Sequence, residues 1–138
     1  RCVLIELLKV VAGVVIRNDR VLLLRKRGHD LWIFPGGKFE PSRDADETAC
    51  LRRELKEELG LECVPGSKIG VFEGKGLSRD DGLVSLSCWF ADIEPHEIRL
   101  NGESGEYAWI RPSEVIIYLI TSPTRQCLNY LIRQSQWS

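Results

Sequence analysis

"RRELKEELG", Arg52 to Gly60, places Glu54, Glu57 and Glu58 within five residues of a 138-residue chain whose formal charge is only −1. In a helix these positions are i, i+3 and i+4, so the three carboxylates share one edge. Leu51, Leu55 and Leu59 form an apolar stripe alongside, and the acidic edge therefore borders a buried seam. Like charges at this spacing cost about 0.2–0.5 kcal/mol per pair even when solvated. Burial raises that cost unless a cation lies among them. Two readings follow. Arg53 and Lys56 pair with their neighbours on a solvated face, or the carboxylates hold a divalent ion. Hard oxygen donors close together suit Mg²⁺, with Mn²⁺ as a substitute, because these ions keep part of a water shell that a phosphate can replace.

Working outward, the composition from Asp44 to Leu59 favours a helix, and Gly60 stops it. Upstream, "KVVAGVVI" (Lys9 to Ile16) and "VLLLRKR" (Val21 to Arg27) are β-branched and aliphatic, and the Asn18-Asp19 turn makes them a hairpin. "LWIF" is a short strand that "PGGK" breaks. Downstream, "KIGVFEG", "LVSLSCWFADI" and "EYAWIR" read as strands and "PSEV" opens a helix. "SPTRQCLNYLIRQ" closes the chain as another helix, with Cys127, Leu128, Leu131 and Ile132 on one side. Strands flanking a helix, with helices at the end, imply an α/β fold whose mixed sheet is covered on both faces. No repeat or linker interrupts it, so residues 1–138 read as a single domain.

Composition narrows the function. Apolar residues make up 43% and charged residues 28% of the chain, as expected of a folded globular protein. Lys and Arg are dispersed, which excludes a basic stripe for a nucleic-acid polymer but leaves room for a small anionic ligand. The run "VLIELLKVVAGVVI" carries Glu6 and Lys9, is too short to span a bilayer, and lacks a signal peptide's layout. Five cysteines without a CxxC pair read as free thiols in a reducing, cytoplasmic setting, most of them small buried hydrophobes. His29 and His96 have no neighbouring ligand pair, which argues against structural zinc; His29 reads as an ordinary loop residue. The chain opens on Arg1, so its start is expected to have been trimmed.

Before the acidic helix, the adjacent glycines of "FPGGK" let the backbone approach a ligand or offer it a carbonyl. No GxxxxGK[ST] occurs, so this is not a Walker loop. Together, "GGKFEP" and "RRELKEELGL" resemble the Nudix box of the Nudix hydrolases, G-x5-E-x7-R-E-U-x-E-E-x-G-U with U aliphatic. The second half agrees at Arg53, Glu54, Leu55, Glu57, Glu58, Gly60 and Leu61. The first half is two residues longer than the box, and the position of its first glutamate falls on Ala45. Asp44, Asp46 or Glu47 is then left to brace the arginine and the loop.

The resemblance implies an α/β/α sandwich that hydrolyses a nucleoside diphosphate linked to another moiety, with a homodimer as one admissible assembly. Glu54, Glu57 and Glu58 would bind Mg²⁺ with the Gly37 carbonyl, and Arg53 would orient the glutamates. Glu54 is the first candidate for general base, with Glu103 and Glu106 of "NGESGEYAW" as the alternatives. Neither proline nor tyrosine stands at Leu77–Arg79, and the "SQPWPFPS" run of NADH enzymes is absent. This favours a MutT-like nucleoside triphosphate pyrophosphohydrolase over an ADP-ribose or nucleotide-sugar pyrophosphatase. A non-catalytic nucleotide-binding module is the contrasting class.

Strand alternation puts Arg25 and Arg27 on one face, where they could clamp phosphate oxygens or form an edge cluster of charge. Lys38, in "GGK", is a further candidate for a phosphate contact. Trp32, Phe72, Tyr107 and Trp109 are either base-stacking residues or, more in keeping with strand aromatics, core.

Overall fold

The computed structural model describes residues 7–78 and 81–138. The start of the apolar N-terminal run, Cys2 and Arg79 lie outside them. Strands β1 (Leu8–Val14), β2 (Ile16–Arg17), β3 (Arg20–Lys26), β4 (Trp32–Ile33) and β5 (Gly36–Lys38) precede helix α1 (Glu47–Leu59). Strands β6 (Cys63–Lys75), β7 (Leu83–Ile93) and β8 (Ser104–Ile110), a 3₁₀ segment (Pro112–Ile117) and helix α2 (Ser122–Arg133) complete the chain. One sheet has the order β5-β1-β7-β6, with β1 and β7 parallel and the other pairs antiparallel. In the second, β3 pairs with β2, β4 and β8. The sheets lie between α1 and α2 in an α/β/α sandwich.

The aliphatic run of β3 is buried on both sides, which is why it reads as unbroken hydrophobicity. Leu22 and Leu24 join Val11, Val15 and the α1 stripe Leu51, Leu55 and Leu59 in one cluster. Val21 and Leu23 join Ala12, Cys88 and the α2 residues Cys127, Leu128 and Leu131 in the other. All three stripe leucines are fully buried, each contributing about 1.5–3 kcal/mol of apolar transfer.

Several expectations need correction. The hairpin turn exists, with positive φ at Asn18 (51°) and Asp19 (64°), but only Ile16–Arg17 pairs with β3 across it. Leu8–Val14 enters the other sheet, because the chain changes partner at Val15. "GGK" is itself a strand, β5, paired with β1. Helix α1 begins at Glu47, since Asp46 caps it by accepting the Ala49 amide at 2.9 Å. "PSEV" opens a 3₁₀ segment, and Ile132 is 37% exposed at the edge of the α2 seam. Among the described residues, no helix is long and apolar enough to cross a membrane.

Candidate active site

Strand β5 carries glycines at two places where a side chain would not fit, Gly36 against β1 and Gly37 against α1. A Cβ on Gly36 (φ 156°) would lie 2.2 Å from the Val11 carbonyl oxygen. One on Gly37 would lie 2.3 Å from the Glu54 carboxylate, so Gly37 leaves the space that this carboxylate occupies. The Gly36 amide donates to Glu58 Oε1 at 2.7 Å. The Cys50 thiol, pushed up to about 12 by burial, lies 3.9 Å from the Gly37 carbonyl and 3.5 Å from that of Lys38.

Arg53 anchors the loop that precedes the helix. Its Nε donates to Asp44 Oδ1 at 2.9 Å and its Nη2 to Asp44 Oδ2 at 2.9 Å. Nη1 donates to Glu54 Oε1 at 2.8 Å, and Nη2 also reaches the Lys38 carbonyl at 3.2 Å. Asp44 is buried, and it accepts the Glu40 amide at 2.8 Å as well. The Arg53 guanidinium holds its carboxyl well below the usual carboxylate range. Of the three acids expected to replace the box glutamate, Asp44 is therefore the one that touches Arg53. Asp46 caps the helix, and Glu47 turns away toward Lys9, Lys68 and Trp89.

The three edge glutamates differ in environment. Glu58 is 2% exposed, burial pushes its carboxyl up to about 7, and its Oε2 has no hydrogen-bond partner. Glu54 is partly buried, and burial raises it despite Arg53. Glu57 is the open one, within 3.4 Å of Arg43 and 3.7 Å of Arg53. Among the described residues, no three acidic, thiol or imidazole side chains already converge as a metal-binding group. Basic side chains lie close to all three carboxylates instead. The orphaned buried oxygen of Glu58, the Glu54 carboxylate over side-chain-free Gly37 and the all-oxygen donor set nevertheless fit a hard divalent cation.

Glu54 and Glu57 open onto a cavity of about 570 Å³, a size suited to a small organic ligand. Lys26, Lys38, Glu40, His29 and Glu103 also line it. Leu8, Val10, Val84 and Leu86, paired across β1 and β7, give it an aliphatic wall. Thr121 and Thr124, both buried and 3.1 Å apart through their hydroxyls, line it from the start of α2.

Arg25 and Arg27 are not among the described lining residues; Lys26 between them is. Arg25 instead pairs with Glu106 and lies 5.7 Å from the Trp32 ring. Glu103 and Glu106 are thereby separated, the first at the cavity and the second outside it. A bulge explains this: Arg25 faces Glu106 but Lys26 faces Ser104, leaving Gly105 unmatched. None of Trp32, Phe72, Tyr107 and Trp109 lines the cavity among its described residues. Trp32 packs edge-on against Tyr118, Phe72 against Tyr130, and Trp109 on the α1-side cluster, while Tyr107 is 42% exposed. The sequence assigned no site role to Lys26, Glu40 or the two threonines, and His29, read there as an ordinary loop residue, also lines the cavity. Lys26 shares the parity of Leu22 and Leu24, which marks it only once those leucines are seen to face α1.

Residues 7–131 match the NUDIX domain. The chain belongs to the Nudix family. It is 30% identical over 129 residues to the nucleoside triphosphatase NudI of Escherichia coli, covering 83% of this chain and 90% of that protein. It is 29% identical over 117 residues to the CTP pyrophosphohydrolase of Escherichia coli K12, covering 82% of each. The solution structure of the Escherichia coli ORF135 protein superposes with a TM-score of 0.77 at 25% identity, over 94% of this chain and 91% of that one. This Nudix chain is a hydrolase of phosphoric anhydride bonds.

Proposed function

We propose that this Nudix hydrolase is a divalent-cation-dependent pyrophosphohydrolase of nucleoside triphosphates. The observation that carries the reading is the Glu58 carboxylate: buried, hydrogen-bonded through one oxygen only, and one helical turn from Glu54, which lines the cavity. Glu54, Glu57, Glu58 and the Gly37 carbonyl are the ligands this reading assigns to Mg²⁺ or Mn²⁺. Bound there, the cation supplies Lewis acidity toward phosphoryl oxygens and acidifies a water molecule.

The chain's own residues do the rest. Arg53 fixes Glu54 through one oxygen and leaves the other over Gly37. Glu54 is the general base in this reading, with Glu103, which also lines the cavity, as the alternative. The water's oxygen bonds to phosphorus, its proton passes to the carboxylate, and the anhydride P–O bond breaks to release pyrophosphate or phosphate. Lys26 and Lys38 face the triphosphate, and the aliphatic wall with the Thr121 and Thr124 hydroxyls suits a flat base with a polar rim. The relatives named as a nucleoside triphosphatase and a CTP pyrophosphohydrolase support the triphosphate class. Buried free thiols suit a reducing compartment.

The test is a hydrolysis panel of nucleoside triphosphates, ADP-ribose and nucleotide sugars in Mg²⁺ or Mn²⁺, with ¹⁸O-water to locate the attacked phosphorus. Triphosphates are expected to be the best substrates. Preferential cleavage of ADP-ribose would overturn the triphosphate reading. No turnover of any compound, with Glu57→Gln binding nucleotide as wild type does, would favour a binding module.

A further inference from the structure

We propose that Lys26 is the resident counter-cation of the acidic edge, pairing with Glu58 until a divalent ion binds and then passing to the substrate's phosphoryl oxygens. This rests on the metal reading above and adds a role to a residue outside the helix. Lys26 Nζ lies 3.5 Å from Glu58 Oε2, the buried oxygen that lacks a hydrogen-bond partner, and 3.8 Å from Glu103 Oε2. The Glu58 side chain is 3% exposed, that of Lys26 27% and that of Glu103 79%. The ammonium therefore bridges a dry carboxylate and a wet one at the cavity.

The looseness of this pair is what distinguishes it. A permanent buried ion pair needs close, well-aligned hydrogen bonds to offset desolvation. Arg53 meets that standard, with hydrogen bonds to Asp44, Glu54 and the Lys38 carbonyl. Lys26 does not. It is a compact charge on a flexible four-carbon stem, able to move without breaking the frame around it. A divalent ion taking Glu58 Oε2 would repel an ammonium placed that close, while a phosphate chain in the cavity would attract it. Lys26 should thus oppose metal binding in the free protein and favour substrate once metal is in place.

The experiment measures Mn²⁺ affinity by calorimetry or by electron paramagnetic resonance of free Mn²⁺, in protein without nucleotide. Lys26→Met should bind Mn²⁺ roughly tenfold more tightly than wild type, and Lys26→Arg about equally to wild type. At saturating Mn²⁺, Lys26→Met should raise KM for a nucleoside triphosphate about tenfold. Lys26→Gln serves as a second uncharged variant if the methionine variant unfolds, and thermal melts verify folding. Wild type that binds Mn²⁺ through Glu58, shown by loss in Glu58→Gln, with Lys26→Met no tighter, overturns the role of Lys26 alone. Wild type without a Mn²⁺ site overturns the metal reading as well. An unchanged KM overturns the transfer to phosphate.

Discussion

At Asp44 both carboxylate oxygens are committed to Arg53, and one also receives the Glu40 amide. The side chain is shorter than a glutamate's, and the loop's two extra residues bring it in from one position earlier than the box would place it. Asp44→Asn should cost about 3 kcal/mol, because it neutralises the partner of two of the hydrogen bonds of the largely buried Arg53, which keeps Glu54 as its one close carboxylate. Asp46→Asn should be nearly neutral, since asparagine caps equally well. Urea unfolding of the two variants checks this; equal stability would mean that the loop is braced elsewhere. Gly37 makes the complementary case. Gly37→Ala drives a methyl group into the Glu54 carboxylate, so kcat/KM should fall by about 10²-fold while melting changes far less. Gly-Gly was visible in the sequence as freedom near a ligand, but which glycine faced the carboxylate was not, because that depends on the register of β5 against β1.

Helix α1 was legible as an element because its acidic edge and leucine stripe repeat at helical spacing, and Leu55→Ala should cost about 2–5 kcal/mol by urea titration. Its start was less legible. Asp44, Asp46 and Glu47 are all plausible first-turn acids, and only tertiary partners distinguish brace, cap and tie. Glu47 is the tie: its carboxylate meets Lys9 of β1 at 3.0 Å, Lys68 of β6 at 3.3 Å and Trp89 Nε1 of β7 at 2.9 Å. Burial pushes that carboxyl up, but these partners outweigh it and hold it at about 2. The folded value lies below the ordinary 4.5, so the unfolded chain takes up its proton first and stability falls with acid. The contribution is complete above about pH 5 and drains away as pH drops toward 2, and solvent screening of the half-exposed lysines keeps it to about 1–2 kcal/mol. Glu47→Gln should be less stable at pH 7 and show a flatter profile between pH 5 and 2 in urea titrations. A profile as steep as wild type's would assign the acid sensitivity to other carboxyls.

Across the molecule, the order of strands and helices could be read from punctuation and periodicity, whereas their distribution between two sheets could not. β1 and β2 look like one strand because Val14, Val15 and Ile16 continue the apolar run, and the change of partner leaves no mark on it. β3 hides its parity in the same way, so the choice between Arg25 and Lys26 at the cavity waited on knowing which side α1 covers. The two apolar clusters meet through β1 and β3, whose successive residues alternate between them, and this predicts that the layers unfold together. Four thiols report on it from separate places: Cys50 and Cys63 in the α1-side cluster, Cys88 and Cys127 in the α2-side cluster. All four are buried and free, and burial holds Cys50 up to about 12 and Cys63 up to about 11, so none should react with a thiol reagent in the native state. In rising urea, their labelling should follow one transition with the midpoint of the far-ultraviolet circular dichroism. If Cys88 and Cys127 become reactive at lower urea than Cys50 and Cys63, the α2 layer opens by itself and the chain is not one cooperative unit.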